Sequence, residues 1–282
     1  MTTVLLALLG LVGAPLLGGC IAGLDRRITA RLQSRTGPPL LQPFYDVGKL
    51  LGKERILFNA WQSFCAWIYL AAAAIAVMLF FMQSDLLYIF FVQAVGAVFL
   101  VVGALSVPSP YSQVGAQREL LHILAYEPLL ILVVVGIFLA TGSFRVSAAL
   151  ASETPLLFKL PLLYLALGYA LTIKLRKSPF DIASSHHAHQ EVVRGVLTEY
   201  SGPYLALVEI GHWYEVVLML GLVALFWGTS LTGMIVLVAL TYAAEIIVDN
   251  SAARLTWRSM LGRIWATGLA FCCINLVWLY AR

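Results

Sequence analysis

Glu119, His122 and Glu127 recur within little more than two helical turns. At about 100° per residue they share an arc of roughly 140° on a helix. Further on, Glu209, His212 and Glu215 stand three apart each time and cover about 120°. Glu245 and Asp249 are four apart and stack on one helical face. All lie in or beside long apolar runs. An ionisable group at membrane depth is costly, and it usually faces a bundle interior or a water-filled path. A carboxylate in such surroundings takes up protons nearer neutral pH, and a histidine titrates there without any shift. Three helices, each with a titratable stripe, have the chemistry of a proton relay. A plainer reading places Glu119 and Asp249 at helix ends in headgroup water.

A second set lies in the polar segment 177–203, where Asp181, His186, His187, His189, Glu191 and Glu199 gather as the chain re-enters an apolar run. Three histidines within four residues can bind a metal. Consecutive histidines point in different directions on a helix, however, and no second ligand group with metal spacing follows. A proton-accessible polar loop is the better reading. Cys20, Cys65, Cys272 and Cys273 sit in or beside apolar runs and form no spaced ligand set, which favours core packing over iron-sulfur or zinc ligation.

The elements that must position these groups follow from composition. Of 282 residues 61% are hydrophobic and 11% charged, against roughly 25% charged in an ordinary soluble domain. Apolar runs at 3–24, 61–83, 86–107, 119–141, 160–176, 204–228, 231–249 and 263–281 are of membrane-spanning length. The expected fold class is therefore all-α, a polytopic membrane protein of about eight transmembrane helices with an amphipathic surface helix and two long cytoplasmic loops. The N-terminal run has no preceding basic residue and continues past Cys20, so it reads as a retained helix rather than a signal peptide. Of 18 Lys and Arg, only Arg145, Lys159 and Arg282 fall on the side opposite the segment that follows the first helix. The positive-inside rule then puts that segment in the cytoplasm and both termini outside. The net charge of +4 is explained by that topology without nucleic acid.

The two loops are residues 25–60 and 177–203, too long and polar for mere connectors. In the first, Pro43 can open a helix with Phe44, Val47 and Leu51 on one face and Asp46, Lys49 and Lys53 on the other. Such a helix lies on the membrane surface or under a docked partner. With no internal repeat or linker, residues 1–282 read as a single membrane-embedded domain.

At these loops the chain resembles the family of the complex I membrane component called NADH dehydrogenase subunit 1, together with its hydrogenase relatives. Arg31-Leu32-Gln33-Ser34-Arg35-Thr36-Gly37-Pro38-Pro39, then Gln42-Pro43 and Asp46-Val47-Gly48-Lys49-Leu50, is similar to one signature of that family. Pro179-Phe180-Asp181, with Glu191 and Glu199-Tyr200-Ser201-Gly202, is similar to the other, and the match continues through Asn250-Ser251-Ala252-Ala253-Arg254-Leu255. Quinone-reducing members usually carry a run of Glu after Pro-Phe-Asp; Ser-His-His-Ala-His-Gln-Glu here looks like the branch of Ech-type and carbon-monoxide-induced energy-converting hydrogenases.

That resemblance implies a coupling subunit in the cell membrane of a bacterium or archaeon, without a cofactor of its own. Its partners would be the hydrogenase large and small subunits, an iron-sulfur ferredoxin-like subunit and an antiporter-like membrane subunit. The nickel-iron centre and iron-sulfur clusters would reside in the partners, which pass electrons from reduced ferredoxin to protons while protons or sodium ions cross the membrane. Arg31, Arg35, Asp46, Lys49 and Arg194 are the expected docking residues. Asp181, Glu191, Glu199, Glu209, Glu215, Glu127 and Glu245, with His186, His187 and His189, are the expected relay. The alternatives are the quinone-reducing counterpart in complex I or a formate hydrogenlyase membrane subunit; from other classes, a stand-alone transporter, which tends to show repeats, or an inert anchor, which gains nothing from buried carboxylates.

Overall fold

The computed structural model describes residues 2–56, 58–180 and 194–281, among which there is no β-strand beyond one isolated bridge between Asp85 and Arg145. In order the helices are α1 (Thr2–Leu32), α2 (Gln42–Leu51), α3 (Ala60–Phe81), α4 (Leu86–Leu105), α5 (Pro110–Thr141), α6 (Val146–Leu150), α7 (Leu156–Lys159), α8 (Pro161–Lys174), α9 (Gly202–Leu225), α10 (Leu231–Ser251), α11 (Trp257–Arg263) and α12 (Leu269–Tyr280). A 3₁₀ turn at Gly195–Leu197 precedes α9, and a π-helical turn at Ile264–Gly268 joins α11 to α12. Apolar solvent leaves no other way to pair every backbone N–H and C=O within a segment. Local chemistry then sets the starts: Asn59 accepts from the Gln62 N–H, Asp85 from Leu87 and Ser230 from Gly233, while prolines open α2, α5, α8 and α9.

Among the described residues seven helices are long and apolar enough to cross a membrane, with α11 to α12 acting as one. The remaining expected crossing, 160–176, is the 14-residue α8, about 21 Å long at 1.5 Å per residue and short of a core of about 30 Å. Helix α7 continues it on the side away from the long loops. Three further expectations are corrected. Helix α1 ends at Leu32 rather than at 24, because it continues for two polar turns after its apolar run stops. Helix α5 begins at Pro110 rather than at 119, so Glu119 is well inside a helix and not at its end. On α2 the inward face is Pro43 and Val47 with half-buried Phe44 and Leu50; Leu51 is exposed and Lys53 lies past the helix end.

Helix α9 is the centre of the bundle and is buried along most of its length. It packs on α1, α3 and α10, while α4, α5 and α8 follow one another around the core. Helix α2 lies against α9, with Phe44 edge-on to Trp213 at 5.1 Å. Helix α10 is peripheral, and its buried residues are Leu237, Ile246 and the carboxylate Glu245.

Candidate functional site

The C-terminus of α8 builds the centre of the site. Its last turn closes with the Arg176 N–H on the Ile173 carbonyl and the Lys177 N–H on the Thr172 carbonyl, both 2.9 Å. This is a Schellman turn, and Arg176 occupies at φ 56° the left-handed position that glycine usually takes. The turn sends three neighbouring bases in different directions. Lys174 points into the bundle, where Nζ is 2.9 Å from Glu215 Oε1, donates to the Tyr126 hydroxyl at 3.3 Å and lies 5.0 Å from that ring's centre. Both members of the ion pair are buried, at 7% and 6% side-chain exposure. Lys177 turns the other way, with Nζ 2.8 Å from Asp25 and 3.6 Å from Asp249, over the ring of Tyr242. Asp249 also accepts the Ser178 N–H.

Around Lys174 and Glu215 an inner cavity of about 10 Å³, room for one water, is lined by Tyr69, Glu119, His122, Tyr126 and Arg176. His122 stands 3.6 Å from Glu119, and His212 3.8 Å from Glu215. Two of the sequence stripes therefore converge here from α5 and α9, with the base of α8 between them. Gly211 lets Tyr69 approach α9, since a Cβ there would stand against its ring. Arg176 also lines a loop-side cavity of about 440 Å³ that holds Arg26, Lys177, Glu209, His212, Trp213 and Asp249. Glu209 and Arg194 are shared between this space and a groove of about 200 Å³ under α2, bounded also by Asp46, Lys49 and Lys53. A line of polar groups thus runs from the α2 groove past Glu209 and Arg176 to Glu215 and Lys174.

Other expected relay members are placed apart. Glu127 is half-buried beside a second, mostly apolar cavity between α4 and α5, which shares Tyr126 and Lys174 with the inner one. Glu245 is buried at 7% exposure with Oε2 unpartnered. Glu199 is half-buried in the turn after Leu197. Asp181, His186, His187, His189 and Glu191 lie outside the described residues. Of the docking residues, Arg31 and Arg35 are exposed at the end of α1, and Lys49 and Arg194 are exposed on the groove. Asp46 is engaged within the chain, accepting from Arg26 at 2.7 Å and Gln42 at 2.9 Å. Partial burial opposes its ionisation, but these hydrogen bonds and the charges of Arg26 and Lys49 prevail and hold its carboxyl below its ordinary value.

Sequence reading missed Lys174, Arg176 and Lys177 as site residues, counting them only as cationic loop markers. The available signal was three bases within four residues at the end of an apolar run, in a chain whose other helices carry carboxylates. Among the described residues no group of three or more His, Cys, Asp or Glu is placed to hold a metal ion.

The family model described as NADH dehydrogenase matches residues 4–280. Hydrogenase-4 component C of Escherichia coli (strain K12) is 32% identical, over 88% of this chain and 91% of that protein. An NADH-quinone oxidoreductase subunit of Dehalococcoides mccartyi (strain CBDB1) is 29% identical, over 68% of this chain and 60% of that one. Among solved structures, a chain of the membrane-bound sulfane sulfur reductase, an archaeal respiratory membrane complex, superposes with a TM-score of 0.88 over 99% of this chain and all of that one, at 23% identity. That likeness is one of fold.

Proposed function

Since this chain belongs to the NADH dehydrogenase family, whose members include membrane subunits of hydrogenase and complex I assemblies, we propose that it is the membrane-anchoring and coupling subunit of an energy-converting nickel-iron hydrogenase of the Ech type. In this reading the partners oxidise ferredoxin and reduce protons to hydrogen, and this chain links that chemistry to proton or sodium movement. The loops and the α2 groove face the cytoplasm, both termini face out, and Arg31, Arg35, Lys49 and Arg194 meet the soluble module while Asp46 ties α2 to α1. The observation that carries the reading is the buried Lys174–Glu215 pair, joined through Arg176 to cavities that open beside the loops. An inert anchor has no use for such a pair, whose desolvation costs several kcal/mol per ion.

Protein residues do the following work in this scheme. Glu209 stands at the junction of the α2 groove and the loop-side cavity and can collect a proton from either. Lys174 pairs with the Glu215 carboxylate, and Arg176 lines the same inner cavity as Glu119, in a region where lipid provides no hydrogen bonds. Movement of one proton changes the balance of the pair, beside which His212 stands 3.8 Å from Glu215 and His122 3.6 Å from Glu119. The 32% identity to the hydrogenase-named relative over 91% of its length supports the hydrogenase reading.

Purification of the complex with mass spectrometry of its subunits tests the assignment: a nickel-bearing large subunit and an antiporter-like membrane subunit should copurify, without flavin. Flavin together with quinone-dependent turnover would overturn it. For the relay, Glu191→Gln, Glu199→Gln and Glu209→Gln should keep hydrogen evolution with soluble donors and lose most of the potential-dye signal per hydrogen in sealed vesicles. Wild-type ratios in all three would move the ion path to a partner.

A further inference from the structure

Asn275 is the one amide on α12, and it is fully buried. Its side chain sits at the break between α7 and α8, where Leu160 leaves helical geometry at φ −126° and ψ 46° and Pro161 follows without an N–H. In an unbroken helix the Leu163 N–H would donate to the Lys159 carbonyl four residues back. Here both groups are engaged by α12. The Leu162 and Leu163 N–H groups donate to Asn275 Oδ1 at 2.9 and 3.1 Å, and Asn275 Nδ2 donates to the Lys159 carbonyl at 3.1 Å. One carboxamide thus stands in the ladder as an extra peptide group would, and a side chain inserted in this way kinks a helix. Lipid offers no substitute for these three bonds.

We propose that Asn275 is a positioning residue for the buried ion pair: by filling the break it fixes the depth and rotation of α8, and with them the place of Lys174 beside Glu215. Leu162 and Lys174 belong to the same unbroken helix and lie about 18 Å apart along it at 1.5 Å per residue, so a displacement at one end reaches the other. The buried flank between them is made of Leu163, Ala166, Leu167, Ala170, Leu171, Thr172 and Ile173, and apolar contacts of this kind are no stronger between helices than against lipid tails. Directional bonds therefore decide where the helix comes to rest. Lys177 ties the loop end to Asp25 and Asp249, and Asn275 holds the opposite end. A slip of about 1 Å would carry a 2.9 Å contact such as that of Lys174 with Glu215 beyond hydrogen-bond length. The proposal rests on the coupling function above and deepens it by assigning the geometry of the pair to a residue remote from it. Asn275 exchanges no proton.

Infrared spectroscopy of the purified complex in nanodiscs reads the pair directly, through the Glu215 carboxylate band assigned by its absence in Glu215→Gln. Asn275→Leu is close in size and makes none of the three bonds, so the band should shift. Asn275→Asp, as a neutral acid, offers a carbonyl oxygen to the two N–H groups and an O–H to the Lys159 carbonyl. It should return the band to its wild-type position, which relief of a general packing defect would not do. In sealed vesicles Asn275→Leu should lose at least about half of the ion signal per hydrogen, as misplacement of a working group does, with hydrogen evolution from soluble donors unchanged. Asn275→Asp should recover most of that signal. If Asn275→Leu fails to assemble, Asn275→Ser, whose shorter hydroxyl cannot reach all three partners, should show the same shift and a smaller loss. A wild-type Glu215 band in Asn275→Leu or, failing that variant, in Asn275→Ser would overturn the proposal. A wild-type complex that moves no ions would overturn the coupling function instead, and the infrared comparison, which needs no ion movement, separates the two failures.

Discussion

At the scale of single residues the molecule is organised around a base, not around its acids. The carboxylate and histidine stripes on α5 and α9 were legible, because Glu and His inside apolar runs have no ordinary reason to be there. Lys174 was not, since a lysine at the end of an apolar run is what topology alone predicts. Only packing shows that α8 is too short to carry it out to the membrane surface. Burial makes the pair sensitive to losing one member: Lys174→Met should strand the Glu215 charge and destabilise the protein by about 3–5 kcal/mol. Lys174→Met combined with Glu215→Gln should recover much of that loss. Thermal inactivation of the solubilised complex compares the two. If the double variant is as unstable as the single one, the ion pair is not what holds these helices together.

Helices and turns explain where the expected boundaries failed. Helices α1, α3 and α8 are each followed by a left-handed residue that is not glycine, namely Ser34, Gln83 and Arg176. In each the following N–H bonds back five residues, from Arg35 to Ala30, Ser84 to Leu79 and Lys177 to Thr172. Glycine is the usual signature of this stop, so hydropathy was left to mark the ends, and it stops at residue 24 while α1 continues to Leu32. At the other end of the site, the turn before α9 sits directly on α5: a Cβ on Gly115 would meet the backbone of Gly195 and Val196. Backbone cannot rotate away as a side chain can. Gly115→Ala should therefore push the 195–197 turn off α5, seen as faster proteolysis between α8 and α9, and Gly13→Ala, which meets nothing within 4 Å, should be silent. For α2 the Arg26–Asp46 tie is exposed, so salt should loosen it. The sign of its pH dependence follows from the lowered Asp46 pKa: the contribution is present above the ordinary value of 3.8 and lost only as pH falls through the lower folded value. Cleavage near α2 in stripped membranes should rise with salt and stay constant from pH 7 to 5; a rise over that pH range would show another group holds the helix.

On the scale of the whole molecule, polar groups are concentrated at one end. Helix α2, the end of α1, the Arg176–Lys177 turn and Arg194 share the loop side, and Gln33 and Asn250 bond across it to tie α1 to α10. A protein whose only surroundings were lipid and water would have no use for a groove rimmed by Arg26, Lys49, Lys53 and Arg194 over an apolar floor of Pro43, Val47, Leu50 and Trp213. Arg31 and Arg35 extend this basic surface outward and are exposed, so they are available to a partner in a way that the internally paired Asp46 is not. Charged groups at the rim of an interface govern encounter rate and salt sensitivity. Reversal of both, Arg31→Glu with Arg35→Glu, should cut recovery of the soluble subunits on washed membranes by about tenfold at physiological salt, while the membrane subunits still copurify. Arg145→Glu, on the opposite side of the bundle, should leave recovery unchanged. Undiminished recovery with the Arg31 and Arg35 reversals would mean that the soluble module docks elsewhere, and the α2 groove would lose its assignment with it.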